Sequence, residues 1–131
     1  MEEQFWGKDQ KTKILIVDDD PTALRILEKI FLSEGYLVAK ATNGKEALAK
    51  ADNLLPDVII LDIMMPVMDG TITLEYLERN PRTKNIPVLF LTSLISKKEE
   101  SVRFIKGRRF LAKPVDRDKV LKAVEESLKK I

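Results

Sequence analysis

The chain has 131 residues and a mass of 15.0 kDa, enough for one domain with a packed core and too little for two of ordinary size. Its 23 Lys and Arg against 21 Asp and Glu leave a net charge of +2, which argues against a protein built mainly to neutralise nucleic acid or coat an anionic membrane. Cysteine and histidine are both absent, so disulfide frameworks, thiolate zinc sites and Ser-His or Cys-His catalysis are excluded, and any phosphohistidine chemistry must take its histidine from another protein.

Residues 1–12 show neither helical nor strand periodicity, with Phe5 and Trp6 their only apolar feature, and read as a flexible leader. Regular patterning starts at Lys13. ILIV at 14–17 is a β-branched strand run, and Asp20-Pro21 then supplies an N-cap with proline at the first helical position. Leu24, Leu27, Ile30 and Phe31 follow at helical spacing until Gly35. YLVAK at 36–40 reads as the second strand, and Asn43-Gly44 opens a second helix carrying Ala47, Leu48 and Ala51.

VIIL at 58–61 is continuously apolar, as a strand covered on both faces should be. Asp69-Gly70 opens a third helix that ends near Asn80-Pro81, and VLFL at 88–91 is a second fully apolar strand. The spacing predicts a short charged fourth helix over 96–105, with Val102 and Ile105 inward, then a brief fifth strand at 110–112. A closing amphipathic helix runs through Val120, Leu121, Val124, Leu128 and Ile131, capped by Asp116. Strand and helix alternate five times with short connections, which predicts an α/β fold with a parallel sheet and helices on both faces, the domain spanning 13–131. No apolar run approaches the ~20 residues of a membrane span and no signal-peptide pattern opens the chain, so a soluble cytoplasmic location is expected.

In an open parallel sheet, sites form beyond the carboxyl ends of the strands. Asp18, Asp19 and Asp20 follow the first strand, Asp62 the third, Thr92 and Ser93 the fourth, and Lys113-Pro114 the fifth. One acid after a strand is an ordinary helix cap, and Asp20 reads as one. Three in a row exceed that need, and at least two should crowd Asp62. Two carboxylates ~4 Å apart at an effective dielectric near 20 repel by roughly 4 kcal/mol. A divalent cation relieves this, and an all-oxygen site suits Mg²⁺ (or Mn²⁺), with Lys113 and the Thr92 hydroxyl completing a cage for phosphoryl oxygens. No glycine-rich loop cradles a nucleotide, whereas a carboxylate such as Asp62 can itself be the nucleophile.

VDDDP at 17–21, LDIMMPVMDG at 61–70, LTS at 91–93 and AKP at 112–114, in this order and spacing, resemble the receiver domain of a two-component response regulator, of the single-domain CheY-like kind. The resemblance runs from Lys13 to the C-terminus. It implies a five-stranded (βα)5 flavodoxin-like sheet in the order 2-1-3-4-5. It further implies that Asp62 accepts a phosphoryl group from a histidine kinase or histidine phosphotransfer protein in a phosphorelay. Asp19, Asp62 and the Met64 backbone carbonyl would hold Mg²⁺, with Asp18 reaching it through water. Lys113 would pair with the phosphoryl group, its bond to Pro114 being cis. Thr92 and Phe110 would be the switch pair, and Ser93 the small residue that keeps the phosphoryl group accessible. Readout by an effector protein would use the fourth helix, fifth strand and fifth helix, a face through which such domains often dimerise on activation. On this reading the protein is no enzyme beyond its own phosphorylation and dephosphorylation, and it contacts neither nucleic acid nor membrane.

Lys106-Gly107 stands where receivers usually have Gly-Ala, and the stretch from Thr92 to Lys113 is about one residue short. The segment 97–113 holds seven basic residues against Glu99 and Glu100, read as a solvated face ahead of an acidic protein partner. Met64 and Leu94 flank the approach of hydrolytic water, which predicts slow loss of phosphate. Two rivals carry less. Asp18-x-Asp20-x-Thr22 matches the opening of haloacid-dehalogenase-like phosphatases, but leaves Asp62 and its loop unused. A binding module that is never phosphorylated is disfavoured because every acidic, hydroxyl and lysine position is filled.

Overall fold

The computed structural model describes residues 11–93, 104–105 and 108–129. In chain order the elements are β1 (Lys13–Val17), α1 (Pro21–Ser33), β2 (Leu37–Ala41), α2 (Gly44–Leu54), β3 (Val58–Leu61), α3 (Gly70–Arg79), β4 (Val88–Thr92), β5 (Phe104–Ile105), β6 (Arg108–Ala112) and α4 (Arg117–Leu128). The four helices among the described residues all start on an Asp or Asn cap: Asp20, Asn43, Asp69 and Asp116 each accept a hydrogen bond from a backbone N–H of the first turn. Helix α1 stops as its sequence demands. Gly35 takes φ 85°, its N–H bonds the Leu32 carbonyl, the Tyr36 N–H bonds the Phe31 carbonyl, and the Phe31 and Tyr36 rings meet edge-on at 5.9 Å.

Five strands pair in parallel in the order β2-β1-β3-β4-β6, the predicted sequence of positions 2-1-3-4-5. Strand alternation divides the core between two faces. Leu15, Val17, Ile59, Leu61, Phe90 and Phe110 pack towards α2 and α3. Ile14, Ile16, Ile60, Leu89, Leu91 and Leu111 pack towards α1 and α4. Burial of both faces explains why β3 and β4 read as unbroken apolar runs.

The second strand sits one residue later than expected, and the fifth parallel strand begins two residues earlier, at Arg108. The expected fourth helix is corrected at its end. Phe104 and Ile105 form β5, antiparallel to β6, with Phe104 opposite Arg109 and Ile105 opposite Arg108. Ile105 and Arg108 are three positions apart in sequence, so their pairing closes at low entropic cost and prevails over helical spacing. Residues 96–103 of that helix lie outside the described residues, as do Phe5, Trp6 and Leu94. The start of β6 is fastened on both sides of the sheet, by Arg108 to Glu78 of α3 at 3.1 Å and by Arg109 to Glu126 of α4.

Candidate functional site

Residues 18, 62, 92 and 113 come together because parallel pairing in register ends β1, β3, β4 and β6 at one edge. Val17 lies beside Leu61, Leu61 beside Phe90, and Thr92 beside Ala112. The next residue along β1, β3 and β6 therefore projects from that edge. Asp18 is 2% exposed, Asp62 4% and Thr92 0%. One carboxylate oxygen from each of Asp18, Asp19 and Asp62 lies within 4.8 Å of the others. Asp19 is exposed at the mouth, and Asp20 is turned away as the α1 cap, taking the Thr22 N–H at 2.9 Å.

The buried charges have partners. Asp18 accepts the Asp20 N–H through Oδ1 at 2.9 Å and the Lys113 ammonium through Oδ2 at 2.6 Å. Lys113 Nζ also reaches Asp62 Oδ2 at 3.4 Å, and the Met64 N–H lies 3.4 Å from Asp62 Oδ1. Burial pushes the Asp62 carboxyl above the ordinary carboxylate value and the Asp18 charge pushes it further, outweighing the opposing pull of Lys113. For Lys113, burial alone would lower the affinity for a proton. The hydrogen bond and charge of Asp18, with those of Asp62, more than reverse it and hold the lysine above its usual range. The lysine therefore stays an ammonium, and the Asp62 carboxylate gains from positive charge brought to it.

The loop after Asp62 is held by its backbone. The Met65 N–H bonds the Ile63 carbonyl at 3.0 Å, the Met68 N–H bonds the Pro66 carbonyl at 2.7 Å, and the Gly70 N–H bonds the Ile63 carbonyl at 2.9 Å. The Met68–Pro66 bond closes a three-residue turn centred on Val67, whose φ of 68° is strained for a β-branched residue and whose side chain is 98% exposed. Gly70 is required by contact, since a Cβ there would stand 2.3 Å from the Asp62 carbonyl oxygen. At Gly44, the same atom would stand 2.6 Å from Thr73 Oγ1 and 2.7 Å from Met68 Sδ, so α2 and α3 approach at this glycine. Sequence reasoning did not single out Gly70, Gly44 or Val67 as parts of the site; the Pro66-to-Gly70 turn signature was the available signal for two of them.

Of the remaining expected residues, Phe110 is buried in the cluster that includes Val88 and Phe90, and it pairs in register with Phe90 next to Leu91 and Thr92. Met64 is half exposed, and the Ser93 hydroxyl points at its sulfur from 4.0 Å. The Lys113-Pro114 bond is cis. The donors at the site are all oxygens and the two innermost are carboxylates, which fits a hard divalent cation such as Mg²⁺ and gives nothing to a soft metal. Among the described residues no helix is long and apolar enough to cross a membrane.

Comparison with known proteins agrees with this geometry. The family model described as the response regulator receiver domain matches residues 14–125. Protein PilH of Pseudomonas aeruginosa is 35% identical over 121 residues, covering 88% of this chain and 97% of PilH. Response regulator PleD of Caulobacter vibrioides is 41% identical over 105 residues, covering 79% of this chain but only 23% of that longer protein. A chain in the crystal structure of the CheX–CheY–BeF3–Mg²⁺ complex from Borrelia burgdorferi superposes with a TM-score of 0.78 at 32% identity, covering 96% of this chain and 97% of that one. The chain belongs to the response-regulator receiver domains, a family of generally non-enzymatic signal transducers that bind Mg²⁺ at an acidic pocket and interact with histidine kinases and effectors.

Proposed function

We propose that this domain is a phosphorylation-dependent switch whose phosphoacceptor is Asp62. The observation that carries the reading is the position of that carboxylate. It is nearly buried, pushed towards protonation by burial and by Asp18, and within reach of one ammonium at 3.4 Å. A carboxylate so placed gains from any positive charge brought to it, and a phosphoryl group enters with its cation.

Asp19 and Asp62, with the Met64 carbonyl, would hold Mg²⁺ (or Mn²⁺), and Asp18 would reach it through water. The ion supplies charge neutralisation for the carboxylate and phosphoryl oxygens. An Asp62 oxygen attacks phosphorus, forming the O–P bond as the P–N bond to the imidazole of the donor, a histidine kinase or phosphotransfer protein, breaks. Lys113 then exchanges part of its contact with Asp18 for a phosphoryl oxygen, and the Thr92 hydroxyl donates to another. Phe110, beside Phe90 on the buried face, follows Thr92 inward. The added charge and acceptor oxygens bias an existing equilibrium between two arrangements rather than building a new one. An effector protein would read the change on β6, α4 and the segment before β5. The domain would span 13–131 behind a leader of residues 1–12, act in the cytoplasm, and dimerise through the readout face when active. The Borrelia complex of CheX, CheY, BeF3 and Mg²⁺ supports this chemistry by analogy.

The test is intact mass after incubation with Mg²⁺ and a small acyl phosphate. One phosphoryl group should add to the wild type and to neither Asp62→Asn nor a magnesium-free sample. An adduct of equal extent on Asp62→Asn would overturn the assignment.

A further inference from the structure

We propose that Met64 is an oxidation-sensitive position that couples the phosphoryl lifetime at Asp62 to peroxide. The inference rests on the reading of Asp62 as phosphoacceptor. With no cysteine in the chain, methionine sulfur is the softest nucleophile that a two-electron oxidant can meet. Among the described methionines exposure differs sharply: Met64 is 53% exposed, Met65 is 7%, and Met68 is partly covered, its sulfur packed where α2 meets α3 at Gly44. Of these three, Met64 is therefore the one that an oxidant in solution reaches first.

The location gives the reaction a consequence. The Met64 N–H lies 3.4 Å from Asp62 Oδ1, and its side chain crosses to Ser93, the residue after Thr92, whose hydroxyl points at the sulfur from 4.0 Å. The thioether thus closes an apolar edge of the acidic mouth, accepting at most a weak hydrogen bond. Hydrogen peroxide transfers one oxygen: a sulfur lone pair attacks, the S–O bond forms as the O–O bond breaks, sulfur is oxidised by two electrons, and the peroxide leaves as water. The sulfoxide is strongly polar and a good acceptor. It competes for the Ser93 hydroxyl and holds water where the thioether excluded it, beside the phosphorus that hydrolytic water must reach.

The experiment treats the folded protein with limiting hydrogen peroxide and maps the added oxygen by peptide mass. Oxidised and untreated samples are then phosphorylated with acetyl phosphate and Mg²⁺, the donor is removed, and decay of the adduct is followed by intact mass. Of Met64, Met65 and Met68, the first sulfoxide is expected at Met64, and decay is expected to quicken about fivefold, the effect of one altered hydrogen-bonding group near a transition state. Met64→Leu has no thioether, and its own decay rate, whatever its value, should not respond to peroxide. Met64→Gln, a permanent polar counterpart, should decay faster than Met64→Leu. Treatment with methionine sulfoxide reductase should restore the original rate. A first sulfoxide at Met65 or Met68, an unchanged decay with Met64 fully oxidised, or a peroxide response retained in Met64→Leu each overturns the inference while leaving Asp62 as phosphoacceptor. Untreated protein that accepts no phosphoryl group at all overturns the Asp62 reading, and the coupling falls with it.

Discussion

The Lys113 ammonium lies closer to Asp18, at 2.6 Å, than to Asp62, at 3.4 Å. One cation is thus shared unequally between two nearly buried carboxylates, and the longer contact falls to the residue read as the phosphoacceptor. Removing the ammonium should strand both acids. Breaking a fully buried pair costs roughly 3–5 kcal/mol, and the partial exposure of Lys113 brings the expectation for Lys113→Met down to about 2 kcal/mol. The loss is measured by urea unfolding in metal-free buffer. Added Mg²⁺ should then return more stability to the variant than to the wild type, because it meets two uncompensated carboxylates instead of a partly neutralised pair. Equal stabilisation of the two proteins by Mg²⁺ would contradict this account.

Asp62 itself should cost the metal-free fold stability. Its folded carboxyl sits above the ordinary value through burial and the Asp18 charge, so the folded state holds that proton more tightly than the unfolded chain does. A carboxyl raised in this way contributes stability that is present below its unfolded value and is lost as pH rises through the folded one. Above that folded value the contribution is gone and the ionised group is a liability. Asp62→Asn should therefore melt a few degrees above the wild type at pH 7 without metal. The difference should narrow as pH falls into the carboxylate range. Thermal melts of both proteins across pH decide it, and a variant less stable than the wild type at pH 7 would refute the assignment of strain to this residue.

Gly70 answers to geometry instead of charge. An added Cβ would meet the backbone of Asp62 and Ile63, at 2.3 Å from the Asp62 carbonyl oxygen and 2.8 Å from the Ile63 Cα, and neither atom belongs to a flexible side chain. Gly70→Ala must move the strand end that carries Asp62, at about 1–3 kcal/mol by analogy with overpacked cores. Gly44→Ala meets side chains and no backbone, the flexible Met68 thioether and the Thr73 hydroxyl, and should cost less. Urea denaturation ranks the two, and phosphoryl uptake should fall further in Gly70→Ala than in Gly44→Ala.

How much of this was legible beforehand depended on the range over which each feature is determined. VIIL at 58–61 needed only its own four residues to declare a strand buried on both faces, and Asp20-Pro21 declared a helix start in two. The site was legible as a list because each parallel strand announces its own carboxyl end, and register then does the gathering. Its internal preferences were not. Lys113 and Asp18 are 95 positions apart, and which acid the lysine favours is set by side-chain reach past the ends of β4 and β3, invisible to spacing. Phe104 and Ile105 were misread because two residues are too few to distinguish period 2 from 3.6, and the pairing partners that fix them lie further along the chain. Val67 offered a contrary signal, since a β-branched residue is a poor choice for positive φ, and the neighbouring turn imposes it.

Asp52 provides a pH effect of opposite sign, far from the acidic edge. Its Oδ1 accepts the Asn80 side-chain amide at 2.9 Å and Arg82 Nε at 3.0 Å, while Arg82 also donates to the Asp52 carbonyl. Asp52 thus ties α2 to the connection between α3 and β4. The Asn80 hydrogen bond is the largest influence, desolvation opposes it, and the lesser hydrogen bond and charge of Arg82 add to Asn80 and hold the carboxyl below the ordinary value. A depressed folded value means that the stabilisation is present above the unfolded carboxylate range and is lost as pH falls through the folded one. The side chains are solvent-exposed, so the gain is modest and salt-sensitive at the Arg82 contact, while the neutral Asn80 bond is insensitive to salt. In a carboxyl-resolved NMR titration, Asp52 should titrate below the ordinary aspartate value, rise most in Asn80→Ala, and rise less in Arg82→Ala. A larger rise on losing Arg82 would mean that the ion pair, and not the amide, holds this corner of the fold.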